Sequence, residues 1–234
     1  MKNSFKFKKF EIDQTGCAMR INTDGVLLGA IAAAAKPSRI LDIGTGTGVI
    51  ALMLAQRFPA AVVDAVEIDG SAALAAASNA ERSDFSKRLN VIHAAIEAYT
   101  PVHFYDLIVS NPPFFVNDLK NAEEKKGMAR HTDAVFFEQL IAKVATLLTE
   151  GGRFWFILPV KQAESTIGIA SGYGLHPVEI IHLHSDEGKP AFRQIVCMDY
   201  SGAVLIQRNL YIYASRGIHT EAYRTLLKDF FLAL

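Results

Sequence analysis

Between Arg39 and Arg57 the chain passes from a short apolar run, Arg39-Ile-Leu-Asp-Ile43, through Gly44-Thr-Gly-Thr-Gly48 into Val49–Arg57, whose apolar residues recur at helical spacing before Pro59. A buried-type strand that turns into a helix through alternate glycines is the entry to an α/β domain with a mainly parallel sheet. Glycine takes positive φ and lets a ligand approach the backbone, while the following helix N-terminus offers free N–H groups and a positive dipole end to an anion. The spacing excludes two familiar ligand loops. A dinucleotide fingerprint needs glycine three residues after Gly46, where Val49 stands, and no Gly-Lys-Ser/Thr follows to make a P-loop. A nicotinamide-dependent oxidoreductase is disfavoured on the same ground.

The rest of the chain keeps this alternation. Further strands are expected at Ala61–Ile68, Leu89–His93, Asp106–Ser110 and Arg153–Leu158, and helices at Ser71–Arg82, Phe136–Leu148 and Ser165–Ser171. Gly151-Gly152 is read as the close of the helix from Phe136, and Lys120–Lys126 as a surface loop. The last apolar runs, Pro177–His184, Ala191–Tyr200 and Val204–Ala214, lie too close together for crossover helices and predict an antiparallel region. The expected architecture is a Rossmann-like, seven-stranded, mainly parallel sheet with helices on both faces. No repeat or composition shift divides the chain, so residues 1–234 are read as one domain whose first 38 residues serve the cleft.

Lys and Arg total 24 against 24 Asp and Glu, so no global basic charge marks a protein that coats nucleic acid. Locally, Lys2, Lys6, Lys8 and Lys9 alternate with Phe5, Phe7 and Phe10. This is either an arm that holds phosphates and stacks bases or an edge strand with its lysines in water. Met1–Phe10 leads into Glu11 and Asp13 rather than an apolar core, and Val26–Ala35 is half a membrane span. Cys17 and Cys197 fall in no paired or metal-ligating pattern. A cytoplasmic monomer without membrane or metal is expected. His182, His184 and Asp199 are read as edge residues, since spacing fixes no third ligand with the two histidines.

In parallel sheets ligands bind beyond the carboxyl ends of the strands. At the second of these ends, Ala65-Val-Glu-Ile-Asp69 sets Glu67 to accept both hydroxyls of a ribose; Asp69 either substitutes for it or is an acid favoured by the dipole at the start of the next helix. At the fourth end, Asn111-Pro-Pro-Phe114 stops the strand with two residues that fix φ and lack N–H groups. The Asn111 side-chain oxygen and the Pro112 carbonyl are then available to the two N–H groups of an exocyclic amine. Its delocalised lone pair makes it a poor nucleophile until such bonds favour the pyramidal form. Phe114 suits stacking on the base, with alignment and electrostatics carrying the step.

Asp42-Ile-Gly-Thr-Gly-Thr-Gly48 resembles motif I of class I methyltransferases that use S-adenosylmethionine, and Asn111-Pro-Pro-Phe114 resembles the [N/D/S]-P-P-[Y/F/W] motif of their amino-methylating members. The resemblance implies that Asp42, Gly44, Thr45, Gly46 and Gly48 hold the amino-acid part of the cofactor, with Asp42 meeting its ammonium. It further implies that Glu67 holds the ribose, and that Asn111, Pro112, Pro113 and Phe114 are catalytic. The family often has an acid against the adenine where this chain has Ala95, so either Glu97 takes its place or backbone and apolar contacts do. Cys17-Ala-Met-Arg-Ile-Asn-Thr-Asp-Gly-Val-Leu-Leu-Gly-Ala30, Arg130-His-Thr132 and Glu221-Ala-Tyr223 resemble segments of the bacterial valine-tRNA adenine-N6 methyltransferases. That family acts on adenosine 37 of tRNA1(Val), which implies tRNA as partner. Thr23-Asp24-Gly25 is expected to cap a helix over Val26–Ala34, with Thr23 and Asp24 touching the methionine moiety or serving the cap alone. The same chemistry on guanine N2 of ribosomal RNA or on a protein glutamine amide is the near alternative, and a non-catalytic RNA-binding module is the distant one.

Overall fold

The structure, a computed structural model, describes residues 4–15, 20–113 and 124–233, with side chains in the last stretch from residue 135 onward. Eight strands form the main sheet: β3 (Arg39–Ile43), β4 (Val62–Glu67), β5 (Leu89–His93), β6 (Tyr105–Ser110), β7 (Leu148–Leu158), β8 (His176–His184), β9 (Arg193–Asp199) and β10 (Ile206–Tyr211). Before them come a hairpin of β1 (Ser4–Lys6) and β2 (Glu11–Asp13) and helix α1 (Thr23–Ile31). Helices α2 (Val49–Arg57), α3 (Gly70–Glu81), α4 (Glu124–Leu147) and α5 (Val160–Ser171) lie between strands; a second hairpin, β11 (Tyr213–Ser215) and β12 (Ile218–His219), leads into α6 (Glu221–Leu227).

The sheet runs in the order β10-β8-β9-β7-β6-β3-β4-β5, and every neighbouring pair is parallel except those that include β9. It therefore has one strand more than the seven expected. Residues 200–205 carry the chain from β9 past the end of β8, so β10 pairs parallel to β8 without a crossover helix. That arrangement also moves His182 and His184 off the edge: their rings meet the side chains of Gln207 and Asn209 on β10 at 2.9 and 3.0 Å.

Alternate strand residues feed two cores. Ile40, Leu107, Val109, Trp155 and Ile157 pack with α1, α2 and α6, while Leu41, Ile108, Phe154 and Phe156 pack with α4 and α5. Helix α1 is apolar all round because it is covered all round, and every residue from Asp24 to Ile31 is buried. Its cap is Asn22, whose side chain accepts from the Gly25 N–H at 2.8 Å, rather than the expected Thr23 or Asp24. Arg57 donates to the carbonyls of Gly29 and Ala32 at its other end, and the buried Trp155 indole finds the Ala33 carbonyl at 2.9 Å.

Helix α4 begins at Glu124, well before the expected Phe136 and within the stretch read as a loop. Strand β7 begins at Leu148, so Gly151-Gly152 lies inside it, where the register against β6 shifts between Tyr105 and Leu107. The basic-aromatic segment is a hairpin with two of its three rings inward. Phe7 and Phe10 are buried and stacked, and Phe7 bridges to Phe231 near the other end of the chain, while Phe5 stays partly in water.

Below the sheet's carboxyl rim, Asp64 on β4 accepts from Asn90 Nδ2 (2.8 Å) and the Tyr105 hydroxyl (2.7 Å) and meets His103 Nε2 (3.1 Å); Tyr105 in turn meets the Tyr99 hydroxyl at 2.6 Å. Burial opposes ionisation of Asp64, but these hydrogen bonds outweigh it and hold its carboxyl below the ordinary range. A carboxyl with a lowered folded pKa stabilises fully above about pH 4 and loses that contribution as pH falls through the folded value. Tyr105→Phe is expected to cost about 1–3 kcal/mol at pH 7 in urea unfolding, the difference narrowing below about pH 4. Equal losses at both pH values would remove Asp64 from the account.

Candidate active site

The chain builds β3, β4 and β5 outward in one direction, then returns to place β6 on the other side of β3. This reversal opens a crevice at the carboxyl ends of β3 and β6. The loops there are Gly44–Gly48 and Asn111–Pro113, and they face each other across a cavity of about 350 Å³.

Gly44, Gly46 and Gly48 have φ of 70°, 58° and 88°. Alternate glycines are needed because a side chain at any of the three would be strained. A Cβ at Gly44 or Gly46 would meet nothing within 4 Å, whereas one at Gly48 would sit 3.4 Å from Ala76 of α3. Gly44 and Gly46 thus open onto the cavity, and Gly48 lets α3 pack close. The loop is tied to β4 by the N–H groups of Gly44 and Thr45, which donate to the Val66 carbonyl at 2.8 and 3.1 Å.

Glu67, at the end of β4, is buried, and both its oxygens are held by backbone donors. Oε2 accepts from the Gly46 N–H at 2.8 Å and Oε1 from the Asp69 N–H at 2.9 Å. Asp69 caps α3, accepting from the Ala72 N–H at 2.8 Å. Asp42 lies beneath the loop and does not line the cavity. Its Oδ2 accepts from the Thr45 hydroxyl (2.6 Å) and the Ala51 N–H (3.1 Å), while Oδ1 is buried without a partner. Burial pushes the Asp42 carboxyl up to about 7, against the pull of these two hydrogen bonds.

Across the cavity, the Ser110 hydroxyl donates to the Ile43 carbonyl at 3.1 Å and ties the end of β6 to β3. Asn111 follows, its Oδ1 buried without a partner among the described residues. Its Nδ2 lies beside Gly25, where a Cβ would stand at an ordinary contact distance of 3.5 Å, so the N-terminal turn of α1 neighbours the Asn111 amide. The same turn is braced by Asp24, whose Oδ2 accepts from Arg193 Nε at 2.8 Å at the start of β9.

Of the expected site residues, Gly44, Gly46, Glu67, Asn111, Pro112 and Pro113 line the cavity. Thr45, Gly48, Ala95, Thr23, Asp24 and Asp42 do not: Thr45 and Asp42 hold the loop, Gly48 lets α3 approach and Asp24 anchors α1, while Thr23 is exposed in the first turn of α1. Phe114 lies outside the described residues. Ala95 opens the short turn Ile96–Ala98. Its neighbours Ala94 and Ile96 line the wall instead, with the exposed Glu97. Phe136 and Leu140 of α4 complete it and were missed from sequence. Their i,i+4 spacing marks a shared helix face, but periodicity does not say that this face meets a cleft.

This donor set fits S-adenosylmethionine. Positive-φ glycines leave room for the amino-acid part, Glu67 is set at ribose height, and an apolar wall with one carboxylate suits adenine.

The chain matches the protein family described as methyltransferase small domain over residues 22–174. It is 66% identical to the tRNA1(Val) (adenine(37)-N6)-methyltransferase of Pedobacter heparinus over the whole of both chains, and 40% identical to that of Christiangramia forsetii over 98% of each. Among solved structures, a predicted O-methyltransferase of Agrobacterium tumefaciens superposes with a TM-score of 0.70 over 88% of this chain and 96% of that one, at 22% identity, a likeness of fold. By these matches and by the two motifs that wall its cleft, the chain belongs to the methyltransferase small domain family and, within it, to the tRNA1(Val) (adenine(37)-N6)-methyltransferases.

Proposed function

We propose that this protein transfers a methyl group from S-adenosylmethionine to the exocyclic N6 of an adenine in tRNA, namely adenosine 37 of tRNA1(Val). The observation that carries this reading is the Asn111 side-chain oxygen, buried and without a partner among the described residues at the rim of β6, opposite the glycine loop and Glu67. A buried acceptor left open at a cleft is a costly feature unless a ligand donor completes it.

When bound, the cofactor supplies a methyl made electrophilic by its sulfonium. Gly44 and Gly46 hold its amino-acid part through the backbone, and Glu67 accepts from the ribose hydroxyls. The two N–H groups already on Glu67 orient it before the ribose arrives, and each oxygen keeps a lone pair for a hydroxyl. Asp42 works from behind: by holding Thr45 and the first turn of α2 it positions the loop. Ala94 and Ile96 cover the adenine, and Glu97 takes the part of the acid absent at Ala95.

On the substrate side, Asn111 Oδ1 and the Pro112 carbonyl accept the two N–H bonds of the amine, turning its lone pair toward the methyl. Pro113 stiffens the loop and Phe114 stacks on the base. Nitrogen gains the methyl as the carbon–sulfur bond breaks, and the proton then leaves the cationic nitrogen for water, since amide and carbonyl oxygens orient rather than deprotonate.

The chain is read as one domain, because residues before β3 pack into the same core as the strands that carry the site. No helix among the described residues is long and apolar enough to cross a membrane. The cytoplasm, where tRNA resides, is the proposed location.

Incubation of the protein with S-adenosylmethionine and unmodified tRNA1(Val), followed by nucleoside mass spectrometry, is expected to yield N6-methyladenosine; its absence with cofactor binding intact would discard the substrate. Asn111→Ala is expected to lower kcat about 10²-fold or more with cofactor affinity nearly unchanged, and near-normal turnover would remove Asn111 from the site. Glu67→Ala is expected to weaken cofactor binding at least about 10-fold by calorimetry, the worth of one charged hydrogen bond. Asp42 tests differently. A carboxyl raised in the fold stabilises fully below its unfolded pKa near 4 and loses that contribution as pH rises through about 7. The Tm of the ligand-free wild type should therefore fall relative to Asp42→Asn from about pH 5 to about pH 8. Parallel profiles would mean that Asp42 does not titrate there.

A further inference from the structure

Strands β8 and β10 run parallel to β6, so the segments that leave them emerge on the same rim as the Asn111 loop. There the turn after β8 and the β11–β12 hairpin are stitched together, with the Ile212 and Tyr213 N–H groups donating to the carbonyls of His184 and Ser185 at 3.0 and 2.8 Å. Between them lies an open groove of about 690 Å³. One wall carries Tyr213, the outermost ring of an aromatic column. Its ring stacks on His219 at 5.0 Å and 20°, and His219 stacks on the buried Tyr223 at 4.6 Å and 22°. Tyr213 itself is 37% exposed.

The charges of the groove are mixed. Lys189 pairs with Asp186 at 3.1 Å, Glu187 is exposed, and Arg216 stands exposed at the hairpin turn with no ion-pair partner among the described residues. Two carboxylates argue against a groove through which a phosphate backbone runs. They are suited to a base, whose exocyclic amine they can accept, while Arg216 at the tip is free for a phosphate beside it. An exposed ring backed by two more is a stacking platform that tolerates any base.

Resting on the tRNA reading above, we propose that this groove is a second nucleotide-binding subsite: Tyr213 stacks on a base of the same tRNA outside the methylated position, and Arg216 meets its phosphate. The distance suits one RNA arm. From β6 to β10 is four strand spacings, about 19 Å, or five to six steps of a stacked strand at about 3.4 Å each.

Steady-state methylation of tRNA by Tyr213→Ala, Tyr213→Phe and Arg216→Glu tests the proposal. Tyr213→Ala is expected to raise KM for tRNA about 10-fold, the worth of one base stack, with kcat and cofactor affinity unchanged; Tyr213→Phe keeps the ring and restores KM. Arg216→Glu leaves the aromatic column in place and so separates binding from hairpin folding. It is expected to raise KM and to reduce the salt dependence of tRNA affinity by about one unit of log–log slope. Wild-type KM and slope in both Tyr213→Ala and Arg216→Glu would overturn the subsite while leaving the enzyme's function standing. A wild type that forms no N6-methyladenosine on any tRNA would overturn the function, and the subsite with it.

Discussion

The Glu67 carboxylate joins two loops that would otherwise be independent. One oxygen is held by Gly46 in the loop after β3 and the other by Asp69 at the cap of α3. The first bond falls within the loop whose positive φ values its glycines permit, and the second depends on Asp69 starting α3 where it does. Charge-assisted hydrogen bonds of this kind are short, directional and about twice as strong as neutral ones. The cavity wall is thus set by backbone geometry before any ligand enters. Beneath it, Asp42 holds Thr45 and the first turn of α2, so one acid shapes the cavity surface and another the underside of the same loop.

The facing wall uses a different device. Asn111 directly follows a central strand, and helix α1 lies beside its amide. The helix is held on three sides: Asn22 caps it, Asp24 ties it to β9 through Arg193, and Arg57 closes its far end on the carbonyls of Gly29 and Ala32. The segment before the first core strand is therefore part of the site's construction, although none of its described residues lines the cavity.

Legibility in the sequence followed the range of the forces involved. The strands Arg39–Ile43 and Leu89–His93 and the helix Val49–Arg57 are observed at the expected bounds, because local apolar pattern and flanking Gly or Pro determine them. The glycine loop, Glu67 and Asn111-Pro-Pro were legible because each rests on backbone chemistry peculiar to its residue type. What escaped depends on tertiary partners. Gly151-Gly152 reads as a helix stop until β6 and β7 pair across a register shift, and β10 reads as antiparallel until the chain is seen to pass the end of β8. The cap of α1 went to Asn22 rather than Thr23 because both types cap well and only packing decides between them. Phe136 and Leu140 face the cleft only because α4 packs beside the Ile96–Ala98 turn, which no spacing records.

The same distinction explains how a chain of zero net charge can act on RNA. The lysines of Lys6–Lys9 suggest a basic arm, yet Phe7 and Phe10 are committed to the core with Phe231 and Phe85, and only Phe5 keeps part of its ring in water. A second exposed ring, Tyr213, stands at the far end of the sheet, stacked on His219 and through it on the buried Tyr223. Long-range attraction to phosphate needs net charge, but discrimination among RNAs needs ordered contacts placed at fixed distances from the reacting base. A rigid sheet supplies that spacing through the separation of its strands. An added strand, β10, extends the rim and carries the hairpin outward, which gives the eighth strand a functional consequence that the seven-stranded expectation lacks.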